Sequence, residues 1–134
     1  MRFTEHELTL ALTAAAKPVA AAQRRGGLRR SRLDPDVVWT ELSGYERYQV
    51  LDALGGQLLP ALVALPDVEV ETGARPVFTD AQVSAAVEET LGDVPGGRVR
   101  RKVVVAARVA LVRAALAGLP PRSDPDTLQV PDSL

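Results

Sequence analysis

The chain has 134 residues, no cysteine and a formal net charge of −1, and 46% of its residues are apolar. Its length suits a single domain, and its composition excludes collagen-like, disulfide-stapled and wholly disordered proteins. The missing cysteines also exclude thiol catalysis and thiolate metal sites. No uncharged apolar run reaches the roughly 18 residues of a membrane helix, and Glu5 and Glu7 give the N-terminal segment the wrong charge for a secretory signal. We therefore expect a cytoplasmic protein.

Helix starts are easy to locate in this sequence. The Asp34-Pro35 step marks one start, because proline suits the first position of a helix. Three further starts are capping boxes, in which a hydroxyl residue precedes Glu or Gln by three positions: Thr4 with Glu7, Ser43 with Glu46 and Thr79 with Gln82. With the apolar periodicity, these starts predict an all-α bundle of five helices, at residues 5–23, 35–42, 44–65, 80–91 and 98–117.

Two of these helices contain residues that oppose helix formation. Pro18 lies inside the first helix and predicts a kink, since its ring removes one backbone hydrogen bond. Gly55, Gly56 and Pro60 fall in the middle of the third helix and predict a break there.

The remaining segments have weaker patterns. Residues 68–71 alternate apolar and acidic side chains, and a turn around Gly73 can follow, so residues 68–78 form either a small β-hairpin or an extended loop. Residues 121–134 combine proline and aspartate with few apolar side chains. This composition predicts a flexible tail after a single helical domain at residues 1–120.

Residues 3–12 and 78–87 resemble each other, which raises the question of an internal repeat. Each segment is followed by a Gly-Gly pair with a basic cluster, and each half ends in an apolar helix closed by Leu-Pro. Two interpretations are open. The halves are two related helical hairpins about a pseudo-twofold axis, or shared helix-start chemistry makes unrelated helices look alike. We favour the second, because the repeat is short.

The fifth helix is apolar around most of its circumference. Such a helix must be covered on several sides, either as the central helix of the domain or by a partner. Its alanines allow another helix to approach closely. We therefore predict a homo-oligomer or a complex with another protein, with a candidate interface formed by Val105, Val109, Val112 and Leu116.

An aromatic group lies at the second and third helices. Trp39, Tyr45 and Tyr48 occur close together, with Arg47 beside them. We add the three aromatic residues to the candidate interface, because such side chains often anchor protein contacts. The alternative is that they pack in the core, with the tyrosine hydroxyls reaching the surface.

Charge is distributed along the chain as basic, acidic and basic again. Residues 1–32 carry a net charge of +5, residues 33–97 carry −10 and residues 98–134 carry +4. This pattern indicates that the ends fold against the acidic middle of the same chain or of another protomer.

The basic residues concentrate in two glycine-containing loops that can hold a phosphate backbone or an acidic partner. We expect Arg101 and Arg108 to have structural roles, because they share a helix face with apolar neighbours. The candidate binding residues are Arg24, Arg25, Arg29, Arg30 and Arg32 in the first loop and Arg98, Arg100, Arg101 and Lys102 in the second.

The sequence contains no recognisable catalytic constellation. The single histidine, His6, falls in the first helical turn, where we expect it to face water, and one histidine without cysteine argues against a zinc site. A winged helix-turn-helix can be drawn over residues 35–78, but the acids of residues 34–52 would repel phosphate. We therefore predict a non-enzymatic helical interaction or regulatory module without metal or cofactor. The alternative is a nucleic-acid-binding protein that uses the loops at residues 24–32 and 98–102.

Overall fold

The structure is a computed structural model that describes residues 1–25 and 34–122. Those residues form five helices and contain no strand, which confirms the all-α prediction. Helix α1 runs on through Pro18. The helices are α1 (Glu5–Arg25), α2 (Pro35–Glu41), α3 (Gly44–Ala64), α4 (Asp80–Leu91) and α5 (Gly97–Ala117).

Local hydrogen bonds explain where three of the helices begin. At α1, the Glu7 N–H donates to Thr4 Oγ1 over 3.0 Å, and the Thr4 N–H donates to Glu7 Oε1 over 2.9 Å. Each such box satisfies N–H groups that have no partner within a helix. The same reciprocal bonds start α3 and α4, at Ser43 with Glu46 and at Thr79 with Gln82.

Helix α3 is continuous, so the predicted break at Gly55, Gly56 and Pro60 is wrong. Leu54 and Leu58 lie on either side of the glycine pair and are buried. Burial of two leucines stabilises the helix by more than the roughly 1 kcal/mol that each glycine costs. Pro60 has no N–H to donate to the carbonyl oxygen of Gly56, one turn earlier. Gly56 and Pro60 are exposed, so this oxygen can accept a hydrogen bond from water instead.

The main core lies where α1, α3, α4 and α5 meet. Helix α1 contributes small side chains to it, including Ala11 and Ala15, so its neighbours pack close to its backbone. Helix α2 packs on α1 through a smaller cluster formed by Ala20, Ala21 and Val38. The largest fully enclosed side chains of the core are Leu58, Leu62, Leu65, Val83, Val87, Val112 and Leu119.

Helix α1 and the end of α5 approach so closely that only glycine fits at position 118. A Cβ atom added to Gly118 would overlap Cβ of Ala14 and lie 3.1 Å from the carbonyl oxygen of Leu10. The φ angle of Gly118 is −89°, which any residue can adopt. The requirement for glycine is therefore steric and comes from the facing helix.

The segment between α3 and α4 pairs with the chain after α5 and forms no hairpin of its own. The Gly73 N–H donates to the carbonyl oxygen of Arg122 over 2.8 Å, and the Arg122 N–H donates to that of Ala74 over 2.7 Å. Of the two alternatives for residues 68–78, the extended loop is present and the β-hairpin is not. Arg122, which the sequence assigns to the tail, is held against the helical domain.

Ion pairs join the basic ends of the chain to its acidic middle, as the charge distribution predicts. Lys17 Nζ of α1 lies 2.8 Å from Asp36 Oδ1 of α2. Arg101 and Arg113 of α5 pair with acids of α4. The rest of the first basic loop and the rest of the predicted tail, residues 26–33 and 123–134, lie outside the described residues.

The helix pairs also bear on the internal repeat. Helices α1 and α4 each pack against both α3 and α5, and α3 packs against α5. If a pseudo-twofold axis related the two halves, α1 would correspond to α4 and α3 to α5. The helix pairs observed are the ones expected for that arrangement. Both interpretations of the resemblance between residues 3–12 and 78–87 therefore stay open.

Candidate interaction surface

Two sets of contacts hold α4 and α5 side by side in opposite directions. Near the start of α5, Arg101 Nη2 lies 3.2 Å from Glu88 Oε1, and Nη1 donates to the carbonyl oxygen of Gly92 over 2.6 Å. Towards the other end, Arg113 forms an ion pair with Asp80 at the start of α4. Arg101 thus contacts an acid of the middle segment, as its predicted structural role requires.

The two halves of α5 have different surroundings. In the second half, Val112 and Ala115 are completely buried. In the first half, Val99 is 76% exposed and Val103 is 60% exposed. The exposed row continues through two alanines of the next turns. We call this row the α5 ridge, and it consists of Val99, Val103, Ala106 and Ala110.

The apolar stripe predicted as an interface lies on the other side of α5. Val112 is enclosed in the core of its own chain, so it offers no surface to a partner. Val105, Val109 and Leu116 are half-buried and pack against the same core. The α5 ridge could not be predicted from the sequence, because periodicity finds apolar rows without showing which row the rest of the fold covers.

Helix α5 carries six basic residues and no acidic one. Arg98, Arg100 and Lys102 are exposed and form no ion pair within the part of the chain that the structure describes. Arg108 is half-buried, and its expected structural role stays a prediction. Of the first basic loop, the structure describes neither Arg29, Arg30 and Arg32 nor the side chains of Arg24 and Arg25.

A groove runs along each side of the α5 ridge. On the α3 side, a groove of about 590 Å³ is lined by Gln57 of α3 and by Val103 and Leu111 of α5. On the α4 side, a groove of about 620 Å³ is lined by residues that include Glu88 of α4 and Lys102 of α5. The surface therefore has an apolar centre and a charged rim, which is the usual anatomy of a protein interface.

The aromatic residues separate into one core residue and two surface residues. Trp39 is half-buried and packs against both clusters of the core. Its carbonyl oxygen accepts a hydrogen bond from Arg47 Nε over 3.0 Å, which helps to end α2. Tyr45 and Tyr48 are 69% and 61% exposed, so the core-packing alternative is right for Trp39 and wrong for the two tyrosines.

Polar side chains do not converge on a chemical site in the described residues. His6 is exposed, as predicted. Within residues 1–25 and 34–122, no group of three or more His, Asp or Glu side chains is placed to hold a metal ion. None of the described helices has the length and hydropathy needed to cross a lipid bilayer.

Comparisons of the chain with protein-family models, with curated proteins and with solved structures find no match.

Proposed function

We propose that this chain is a non-enzymatic helical module that binds a protein partner through the α5 ridge. The observation that carries the proposal is the exposure of Val99 and Val103 on a helix whose opposite side buries Val112 and Ala115 in the core. Exposed apolar rows with a polar rim are typical of protein contact sites, because covering them removes apolar area from water.

The way in which α5 is held also supports this function. Arg101 ties the first half of the helix to Glu88 and to the end of α4, and Val112 anchors the second half. The α5 ridge is therefore fixed before a partner arrives. A fixed surface loses little conformational freedom on binding, so more of its contact energy appears as affinity.

The absence of natural cysteine permits a direct test. Val103→Cys places a single thiol on the α5 ridge, and Val63→Cys places one on α3 at a similar exposure of 64%. We expect a thiol reagent to label the cysteine at position 103 more slowly in an extract of the cells that produce the protein than in a dilute solution of the purified protein. Position 63 should be labelled at the same rate in both. Equal rates at position 103 in the two settings would contradict the proposal.

Nucleic-acid binding is a second candidate, favoured by the cations Arg98, Arg100 and Lys102 near the positive end of the α5 dipole, which form no ion pair with the described residues. Glu88 and Glu89 on the neighbouring helix oppose it, because they repel phosphate. Mobility shifts over a series of salt concentrations separate the two candidates. A protein-binding module should show no shift at physiological salt. Steeply salt-dependent binding that is lost in an Arg98→Gln, Arg100→Gln variant would favour nucleic acid.

A further inference from the structure

The groove on the α3 side of the α5 ridge contains positive charge without negative charge. We call it the α3–α5 groove. Its apolar lining comes from Val99, Val103, Val104, Ala107 and Leu111 of α5. Arg100 and Arg108 are its only charged lining residues in the part of the chain that the structure describes, and neither forms an ion pair there. By contrast, the acids Asp80 and Glu88 line the groove on the α4 side.

The α3 wall of the α3–α5 groove carries no charge. Gln57 lines the groove, and Ala53 and Pro60 lie about one turn before and after it on the same side of α3. All three residues are exposed. The sequence contains no charged residue between Asp52 and Asp67. The α3 wall therefore offers no carboxylate that could neutralise the cations of α5.

The start of α5 adds partial positive charge at one end of the groove. The first turn of α5 contains no acidic residue, whereas each of the other described helices has one or two there. Gly96 lines this end of the groove, and a Cβ atom added to it would lie 2.9 Å from Cγ of Arg100. The stem of Arg100 therefore lies against the helix start. The N–H groups of a first turn attract anions, so they reinforce the charge of Arg100.

The length of the α3–α5 groove suits one α-helix. Val99 and Leu111 are about 18 Å apart along α5, which is a little more than three helical turns. A helix lying in the groove would place apolar side chains on it at every third or fourth position. Arg100 and Arg108 are about 12 Å apart along the same axis. Two carboxylates about two turns apart on such a helix would therefore face both cations.

We infer that the partner of the α5 ridge is an acidic amphipathic helix of another protein, and that this helix binds in the α3–α5 groove. This inference rests on the proposed function. The apolar side of the helix covers Val99 and Val103, which removes their exposed area from water. Its carboxylates pair with Arg100 and Arg108. A basic or neutral helix would cover these two cations without compensating them, so the groove selects against it.

Three synthetic peptides of equal length test which chemistry the groove accepts. The acidic probe is a helix-forming peptide of about 16 residues, with leucine on one side and glutamate along both edges. The lysine probe replaces every glutamate by lysine, and the shuffled probe scatters the leucines of the acidic probe. Measured by fluorescence anisotropy with the full-length chain, the acidic probe should bind at least about tenfold more tightly than either control. Equal affinity for the acidic and lysine probes, or no binding of the acidic probe at about 1 mM chain, would overturn the inference.

Matched double variants test whether the two cations of the groove hold the probe. Arg100→Gln with Arg108→Gln should weaken the acidic probe by about five- to tenfold and reduce the salt dependence of its binding. Arg2→Gln with Arg75→Gln removes the same charge from exposed positions outside the groove. That control should change the affinity by less than about twofold. Equal losses in the two double variants would mean that only the net charge of the chain matters.

Single and alternative variants keep the result independent of folding. Arg108 is half-buried, whereas Arg100 is exposed, so Arg100→Gln alone should leave the far-ultraviolet circular dichroism unchanged. It should still weaken the acidic probe by about threefold. Arg98 and Lys102 line the groove on the α4 side. A larger loss in an Arg98→Gln, Lys102→Gln variant than in the Arg100→Gln, Arg108→Gln variant would place the peptide in that groove and overturn the inference.

Two other occupants of the α3–α5 groove are outcomes of the same measurements. Self-association of the purified chain that protects position 103 without any probe would identify a second copy of the chain as the partner. A single-stranded oligonucleotide that displaces the acidic probe at equal charge and equal concentration would identify nucleic acid. Either result would overturn the inference.

Thiol labelling separates failure of the inference from failure of the proposed function. The acidic probe should slow the labelling of Val103→Cys and leave the labelling of Val63→Cys nearly unchanged. If position 103 is protected in the cell extract but the acidic probe neither binds nor protects it, only the inference about the chemistry of the partner fails. Equal labelling of position 103 in the extract and in the purified protein would overturn the proposed function, whatever the probe does.

Discussion

Nε of Arg122 lies 3.0 Å from Oε2 of Glu7, and this ion pair ties the chain after α5 to the first turn of α1. The Glu7 side chain is only 8% exposed, and its other oxygen accepts the hydrogen bond from the Thr4 N–H. One carboxylate therefore serves both the capping box and the ion pair. Nε and Nη2 of Arg122 are buried, and neither has an aligned hydrogen-bond acceptor in the described part of the chain. The charge of Glu7 therefore compensates these two nitrogens.

Removing Arg122 should destabilise the protein substantially. Arg122→Ala leaves the buried carboxylate of Glu7 without its opposite charge, and we expect a loss of about 2–3 kcal/mol in the free energy of unfolding. The value is below that of a fully buried pair because the Arg122 side chain is 30% exposed. Urea denaturation at neutral pH measures it.

The exposed pair between Lys17 and Asp36 is the matched control, and Lys17→Ala should cost less than about 1 kcal/mol. Adding Glu7→Gln to Arg122→Ala should recover part of the loss, because the buried charge is removed while an oxygen remains to accept from Thr4. Equal and small losses for Arg122→Ala and Lys17→Ala would show that burial adds nothing to the Glu7–Arg122 pair.

Two glycine-to-alanine changes should have opposite effects. Gly118→Ala places a methyl group against Ala14 and the backbone of Leu10, so α1 and α5 must separate, at a cost of about 1–3 kcal/mol. Gly56→Ala meets no atom within 4 Å in the interior of α3 and should stabilise the protein by about 0.5–1 kcal/mol. Thermal unfolding of the two variants against the parent checks both signs. A stabilising Gly118→Ala would contradict the close approach.

The buried and exposed sides of α5 should respond differently to the same substitution. Val112→Ala opens a cavity in the core and should cost about 2 kcal/mol. Val103→Ala removes the same atoms from the exposed side and should leave stability unchanged or slightly raised, because alanine is the better helix former. Denaturation at concentrations low enough to keep the chain monomeric gives the comparison. Equal losses at the two positions would mean that Val103 is covered within the chain.

The capping box of α4 should be worth about 1 kcal/mol. Thr79→Ala removes the hydroxyl that accepts from the Gln82 N–H over 3.1 Å and leaves that donor without its partner. Thr79→Ser keeps an equivalent oxygen and should be nearly neutral. A loss of similar size in both variants would assign the effect to the threonine methyl group instead of the hydrogen bond.

Helix positions were largely predictable because their signals are local. The boxes at Thr4, Ser43 and Thr79 each involve groups three residues apart, so the start of the helix is encoded where it occurs. The predicted break at Gly55 and Gly56 failed for the opposite reason. The packing of α3 against distant helices outweighs a local preference, and no window of sequence around the glycines contains that information.

By itself, the sequence determined the five helices, the all-α class and the attraction between basic ends and acidic middle. Only the tertiary structure decided which side of α5 is enclosed, with Val112 turned into the core and Val103 left on the surface. The tertiary structure also decided the second role of Glu7. Its sequence context predicts only a capping residue, whereas its ion-pair partner Arg122 lies more than a hundred positions away in the sequence. Hydrogen bonds within one helical turn are determined by neighbouring residues. Burial and ion pairing depend instead on where the folded chain places residues that are far apart in sequence.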